Sequence, residues 1–156
     1  MDDLEKEGFI NPHNITLESE SFFGAGLAVG IVAAIICAVL WAIISVALNI
    51  QYSFMAIFVG AAVGIVVAKF GKGSSLPFGI VGAILALFSC VLGDIFTMIG
   101  FVAKHQSVGY LQVLERYKLD EWVDFHMASL SVYSIMFYGV AMYLGFTMAR
   151  VNLKKA

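Results

Sequence analysis

The fold is most clearly indicated by residues 22–70, FFGAGLAVGIVAAIICAVLWAIISVALNIQYSFMAIFVGAAVGIVVAKF. No charged side chain interrupts this stretch before Lys69. A helix needs about 20 apolar residues to cross the roughly 30 Å hydrocarbon core of a bilayer. The stretch is long enough for two such crossings, and residues 49–51 form a very short link between them. It therefore predicts a tight hairpin of two membrane-spanning helices, at residues 22–48 and at about residues 52–70.

Two further apolar runs, at about residues 76–102 and 128–151, are also long enough to cross a bilayer. Backbone groups in lipid must bond within their own segment, so each run is predicted to be a helix. The chain is 61% hydrophobic and 13% charged, whereas soluble domains are about half apolar and a quarter charged. We predict an all-α integral membrane bundle of four transmembrane helices, with residues 21–156 as one domain after a polar, acidic tail at residues 1–20.

The link of residues 104–127, between the third and fourth predicted spans, has an amphipathic pattern within residues 107–118. Its apolar side chains fall largely on one helical face. These are Tyr110, Leu111, Val113, Leu114 and Tyr117. Such a segment is suited to lying in the membrane interface. Packing of the same face on other protein surface is the alternative, and the pattern does not separate the two.

Lysine and arginine residues near the spans predict the orientation, because cytoplasmic flanks carry an excess of them. The side of the 104–127 link carries Lys104, Arg116 and Lys118. The opposite side carries Lys6, Lys69, Lys72, Arg150, Lys154 and Lys155. We therefore expect both termini and the loop of residues 71–77 to be cytoplasmic, and the 104–127 link to face outward.

The run WAIISVALNIQYSFMAIFVGAAVGIVVAKFGKG, residues 41–73, precedes a third helix that is led by glycine. The run contains a tryptophan in the last part of the first span, a polar residue before the second, and a VGxxVG-like stretch that leads to a basic, glycine-rich loop. The pattern covers about half of the chain and resembles a set of small bacterial membrane proteins of unknown function. The resemblance implies a bacterial inner-membrane setting and brings no activity with it.

Two glycine pairs with a spacing of four residues mark positions for close helix packing. They are Gly26 with Gly30 in the first span, and Gly60 with Gly64 in the second. Glycines at this spacing let helix backbones approach closely in a membrane. Either pair could serve the chain's own helices, a second copy of the chain or a helix of another membrane protein.

The stretch SCVLGDIFTMIG, residues 89–100, contains Asp94, the only formally charged residue well inside a predicted span. A charge inside the hydrocarbon core is costly, so such a residue is a candidate functional group. Cys90 and Thr97 lie on the same helical face and are weakly polar neighbours of Asp94. These three residues form a candidate ion or polar site.

The sequence leaves three interpretations of Asp94 open. In the first, it binds an ion or proton in a channel or carrier. In the second, it fixes assembly through a hydrogen bond to a serine or tyrosine of the fourth span, or by pairing with His126 or with a basic residue of a partner protein. In the third, helix three ends near Gly93 and Asp94 caps a break beyond it.

The stretch DEWVDFH, residues 120–126, places an acidic cluster at the outer end of the fourth span. Its members are Asp120, Glu121, Asp124 and His126. Carboxylates that flank a membrane span are usually solvated, so we expect no metal here. No pair of histidines lies in a span with ligand spacing, which argues against haem, and we expect no cofactor.

The leading functional expectation is a non-enzymatic protein that works through helix contacts. The chain has no nucleophile–base pair and no phosphate-binding loop, and its net charge of −2 gives no basic field for nucleic acid. We expect a small accessory or scaffold subunit of a membrane assembly, or a homo-oligomer, whose partners are lipid and either another membrane protein or itself. The alternative is a small channel or carrier for an ion or proton that uses Asp94.

Overall fold

The computed structural model describes residues 12–50, 54–72 and 75–150, without the side chains of residues 12–22 and 119. Every regular element within these ranges is an α-helix, which confirms the all-helical fold class. The elements are α1 (Pro12–Leu48), α2 (Met55–Gly71), α3 (Leu76–Gln106), α4 (Tyr110–Arg116), α5 (Leu119–Ser129) and α6 (Val132–Ala149).

Three of these helices are long and apolar enough to cross a membrane. They are the Phe23–Leu48 part of α1, the whole of α3 and the whole of α6. Helix α2 has 17 residues, so its length is about 26 Å at 1.5 Å per residue. It is apolar but falls short of the roughly 30 Å of a bilayer core. The described residues therefore bear out a membrane protein with three candidate spans, and a fourth span stays a prediction.

The helix boundaries differ from the sequence prediction at three places. Helix α1 begins at Pro12, inside the predicted tail, and proline suits the first position of a helix. Helix α3 continues to Gln106, beyond the predicted end near residue 102. The start predicted near residue 128 for the last span was wrong, because Leu130 and Ser131 have extended backbone angles. Ser131 Oγ then accepts a hydrogen bond of 3.2 Å from the backbone N–H of Ser134, which caps α6.

Helices α1, α2, α3 and α6 pack together as one bundle. Helix α2 is antiparallel to α1, whereas α3 runs parallel to α1, and α6 runs parallel to α2. We call the end that carries Leu48, Gln106, α4 and α5 the upper end, and the end that carries Gly71, Leu76 and Ala149 the lower end. The amino-terminal half of α6 therefore lies beside the carboxyl-terminal half of α3.

The four glycines singled out in the sequence lie at contacts between helices of this chain. A Cβ atom built on Gly26 would lie 2.7 Å from Gly71 Cα, and one built on Gly30 would lie 2.8 Å from side-chain atoms of α2 and α3. Gly60 packs against the backbone of Ala141, and a Cβ on Gly64 would lie 2.8 Å from the carbonyl oxygen of Gly145. Both glycine pairs are therefore buried within the bundle, which leaves them no surface for a second chain.

The amphipathic link forms two short helices that pack on the upper half of α3. Val113 of α4 and Trp122 of α5 are buried in one cluster with Met98, Ile99 and Ala103 of α3. Leu111 and Leu114 of α4 remain exposed. The apolar side chains of α4 are thus divided between protein packing and the outer surface. Packing on other protein surface holds for Val113, and the membrane-interface alternative stays a prediction.

Lys104 joins the upper ends of α1 and α3. Its Nζ atom donates hydrogen bonds to the carbonyl oxygen of Val46, at 3.0 Å, and to Asn49 Oδ1, at 3.4 Å. Asn49 has a φ of 58°, in the left-handed region, immediately after the end of α1. A cation at the carboxyl end of a helix also interacts favourably with the helix dipole. Lys104 therefore fixes the register between the two parallel helices.

Candidate functional site

Asp94 lies in the interior of an unbroken helix. Helix α3 runs from Leu76 to Gln106, so the interpretation in which it ends near Gly93 was wrong. Asp94 lies about 27 Å along the axis from Leu76 and about 18 Å from Gln106. Its side chain is only 5% exposed. The helix therefore holds this carboxyl group inside the protein rather than at its surface.

Asp94 accepts a hydrogen bond from Tyr138. The Tyr138 hydroxyl donates to Asp94 Oδ2, and both side chains are buried. This bond joins α3 to α6, which is the type of contact that the second interpretation of Asp94 predicts. Two other tyrosines of the same helix, Tyr133 and Tyr143, are 73% and 66% exposed. Only one of these three tyrosines therefore faces the interior.

His126 lies beside this pair. Its ring stacks on the Tyr138 ring with centroids 6.5 Å apart and an interplanar angle of 19°. The imidazole is 4% exposed, and its Nδ1 atom has no hydrogen-bond partner within the described part of the chain. Asp94, Tyr138 and His126 thus form a buried polar group that brings together α3, α6 and the end of α5. We call it the Asp94 cluster.

The predicted acidic cluster of α5 does not come together around His126. Asp120, Glu121 and Asp124 are exposed, whereas His126 points into the protein. Glu121 Oε2 instead accepts a hydrogen bond of 3.1 Å from the backbone N–H of Lys118, at the start of α5. Within the described residues, no three histidine, cysteine, aspartate or glutamate side chains are grouped so that they could hold a metal ion.

The other polar side chains near Asp94 on α3 bond to backbone carbonyl groups. Thr97 Oγ1 donates to the carbonyl oxygen of Gly93 at 2.7 Å, within its own helix, as hydroxyls of membrane helices often do. Ser89 Oγ donates to the carbonyl oxygen of Ala34 at 2.7 Å and so joins α3 to α1. Cys90 is a fully buried free thiol in the hydrophobic core. The predicted neighbours Cys90 and Thr97 are therefore buried near Asp94, and the Thr97 hydroxyl donates elsewhere.

The indole of Trp41 packs on the helix turn that carries Asp94. A Cβ atom built on Gly93 would lie 3.1 Å from two atoms of this ring. Trp41 is 2% exposed, and its Nε1 atom has no hydrogen-bond partner among the described residues. The absence of a side chain at Gly93 thus lets α1 approach α3 beside Asp94, and the Trp41 ring fills the space between the two helices there.

The helix packing below the Asp94 cluster is closed. Gly82 and Gly145 lie directly against each other, with the carbonyl oxygen of each in the position that a Cβ on the other would need. Asp94 does not belong to the walls of three grooves that are lined wholly by described residues. These grooves have volumes of 170–330 Å³. The contact between Gly82 and Gly145 therefore closes the space between α3 and α6 below Asp94.

No protein-family model, no curated protein and no solved structure matches this chain. The resemblance to small bacterial membrane proteins thus stays a prediction. The geometry of the bundle and of the Asp94 cluster carries the functional inference.

Proposed function

We propose that the chain is a four-span protein of the bacterial inner membrane that acts, without catalysis, as an accessory or scaffold subunit or as a homo-oligomer. The single observation that carries this proposal is the closed packing beneath the Asp94 cluster. A carrier needs a route from its binding site to both sides of the membrane. Here the close contact of Gly82 with Gly145 leaves no space between the α3 and α6 backbones below Asp94.

The packing of α2 supports its role as the fourth span. Gly60 and Gly64 contact α6, and Gly71 contacts α1, so α2 lies against its neighbours along its length. Helix α2 contacts all three candidate spans, and we expect a helix packed in this way to lie at the same depth in the bilayer. The second span was predicted to begin at residue 52, and residues 51–53 lie outside the described structure.

The distribution of basic residues supports an orientation with both termini in the cytoplasm. Lys69, Lys72 and Arg150 are exposed at the lower end, and the sequence adds Lys6, Lys154 and Lys155 on that side. The upper end carries Lys104, Arg116 and Lys118. The excess of basic residues at the lower end supports a cytoplasmic location for that end, because cytoplasmic flanks carry more lysine and arginine.

Among the described residues, the outward face of α1 carries the most exposed apolar side chains that lipid or a partner helix could contact. Ile35, Ile36 and Ile43 are 44%, 53% and 57% exposed. Because the glycine pairs are buried inside the chain, association must use faces of this kind. Contacts on such a face rest on van der Waals packing, since lipid tails are as apolar as the side chains.

Site-specific photo-crosslinking in native membranes tests the accessory function. One photoreactive residue is placed at an exposed position on each bundle helix: Ile35, Ile65, Ile84 or Val140. Ala34 is the matched control, because it is adjacent to Ile35 and fully buried. We expect at least one exposed position to join the chain to a second polypeptide in one defined product, while position 34 gives only products within the chain. Lipid adducts alone at all four exposed positions would contradict the proposal.

The Asp94 cluster favours a second candidate, a proton-coupled channel or carrier. A buried carboxyl group beside a tyrosine and a histidine is the kind of intramembrane polar group that marks proton pathways. The test is proton flux into liposomes under a pH gradient, with Asp94→Asn compared with Asp124→Asn, which changes an exposed carboxyl group. This candidate requires flux that only Asp94→Asn abolishes. Absence of flux in the unaltered protein would exclude it.

A further inference from the structure

A lateral groove opens at the upper half of the bundle, between α1, α3 and α4. Its volume is about 280 Å³, and its walls are apolar side chains and one tyrosine. Val39, Ala42 and Ile43 form the α1 wall, Phe96 and Ile99 form the α3 wall, and Tyr110 and Leu114 belong to α4. An apolar cavity of about 150 Å³ already accommodates a benzene molecule. The groove is therefore large enough for a hydrocarbon chain segment.

A cation lies just above this groove. Val46 is one turn beyond Ala42 and Ile43 on α1, about 5 Å along the axis, and its carbonyl oxygen accepts the 3.0 Å hydrogen bond from Lys104 Nζ. The Tyr110 hydroxyl reaches Gly100 at the same level, since a Cβ on that glycine would lie 2.8 Å from it. The groove thus has an apolar floor and a polar upper rim that carries a positive charge.

We propose that this groove binds an anionic phospholipid, with an acyl chain between α1, α3 and α4 and the phosphate at the Lys104 ammonium group. The ammonium group has three hydrogen-bond donors, and the structure assigns two of them to Val46 and Asn49. Phosphate oxygens are strong acceptors for the third. Charge and apolar shape together favour such a lipid over an uncharged helix of a partner. The proposal rests on the membrane placement given above, and it is independent of the accessory role.

Native mass spectrometry of the intact chain in mild detergent tests lipid binding. Delipidated protein is titrated with phosphatidylglycerol, and with phosphatidylcholine that has the same acyl chains. We expect the anionic lipid to bind roughly tenfold more tightly, which corresponds to about 1.4 kcal/mol. Equal affinity for the two lipids would overturn the proposed role of Lys104, and so would a lack of any saturable binding.

Two tryptophan substitutions locate the site. Ile43→Trp fills the groove, and Ile31→Trp places the same side chain at an exposed position of α1 about 18 Å away. We expect the first to lower phospholipid affinity about tenfold or more, and the second to leave it unchanged. Leu114→Trp fills the groove from its α4 wall and replaces Ile43→Trp if that variant does not fold. Equal phospholipid affinities in the groove-filling variant and in Ile31→Trp would show that the lipid does not bind in this groove.

Lysine substitutions test the headgroup contact. Lys104→Gln removes the charge, so it should abolish the preference for phosphatidylglycerol, whereas Lys104→Arg should restore it. A preference that survives Lys104→Gln would overturn the assignment of the phosphate to this residue. A photoreactive residue at position 43, added to the photo-crosslinking experiment, tests for the other occupant. A polypeptide joined to this position would show that a partner helix occupies the groove and would also overturn the proposal. Lipid and polypeptide adducts differ in mass, so failure of this inference is separable from failure of the accessory role.

Discussion

Gly145 and Gly139 of α6 allow the close packing of the bundle to be tested by substitution with alanine. Gly145 is buried against α3, whereas Gly139 is exposed. A Cβ atom on Gly145 would lie 2.5 Å from the carbonyl oxygen of Gly82 and 2.9 Å from Ala86 Cβ, both on α3. A Cβ atom on Gly139 would meet nothing within 4 Å. Alanine at position 145 therefore forces α3 and α6 apart, whereas alanine at position 139 occupies open space on the outer surface.

The expected difference follows from two opposing terms. Alanine in place of glycine stabilises a helix interior by about 0.5–1 kcal/mol, and this gain is common to both variants. Overpacking costs about 1–3 kcal/mol, and it applies only to Gly145→Ala. Its obstacle is a backbone carbonyl that cannot rotate away. We therefore expect Gly139→Ala to be slightly more stable than the parent chain and Gly145→Ala to lie about 1–3 kcal/mol below Gly139→Ala.

Thermal unfolding in detergent with a thiol-reactive fluorogenic dye measures this difference. Cys90 is fully buried and Cys37 is partly buried, and both are free, so the dye reports the unfolding that exposes them. For a chain of this size, 1 kcal/mol corresponds to about 2–4 °C in Tm. A Tm of Gly145→Ala equal to or above that of Gly139→Ala would refute the close contact of α3 with α6.

Three further substitutions test other contacts by the same assay. Tyr138→Phe removes the donor to Asp94, and we expect a loss of about 0.6–1.7 kcal/mol; an unchanged Tm would mean that this bond does not hold α6. Lys104→Met should cost about 0.5–1.5 kcal/mol, the usual net contribution of a hydrogen bond, because solvent weakens the bonds of an exposed side chain; Lys118→Met, immediately before α5, serves as its control. Ser131→Ala removes the cap of α6 and should cost about 1 kcal/mol, and a Ser131→Asp variant that keeps the parent Tm would confirm that capping is the cause.

The long apolar helices were predictable because their length and composition follow from the thickness of a bilayer. The break before α6 was missed, since residues 128–134 have the mixed apolar and hydroxyl composition of the span that follows. Ser131 and Ser134 carried the missing signal, because a serine that precedes a helix by one position accepts from the backbone N–H three residues later. The serine cap thus marks the start of α6, which hydropathy does not reveal.

The sequence predicted a kind of partner for Asp94 and left the residue open. Tyr133, Tyr138 and Tyr143 could each donate a hydrogen bond to Asp94. The face of α6 on which each one lies determines which of them does. Tyr138 lies three residues before Ala141 and seven before Gly145, so these three share the buried face of α6. If Ala141 and Gly145 are taken to mark the buried face of α6, this spacing identifies Tyr138 as the partner of Asp94.

His126 was grouped with the acidic residues of α5 because they are neighbours in sequence. On a helix, residues four apart share a face, and Trp122 and His126 are the buried pair of α5. Asp120, Glu121 and Asp124 are exposed. Only knowledge that this segment is helical could have separated the histidine from the acids.

The mass of the intact complex tests the central claim most directly. The protein is extracted from its native membrane in mild detergent and weighed by native mass spectrometry. An accessory, scaffold or homo-oligomeric role requires a species that contains either a second polypeptide or several copies of the 16.9 kDa chain. A single 16.9 kDa chain that carries only lipid would contradict an accessory, scaffold or homo-oligomeric role.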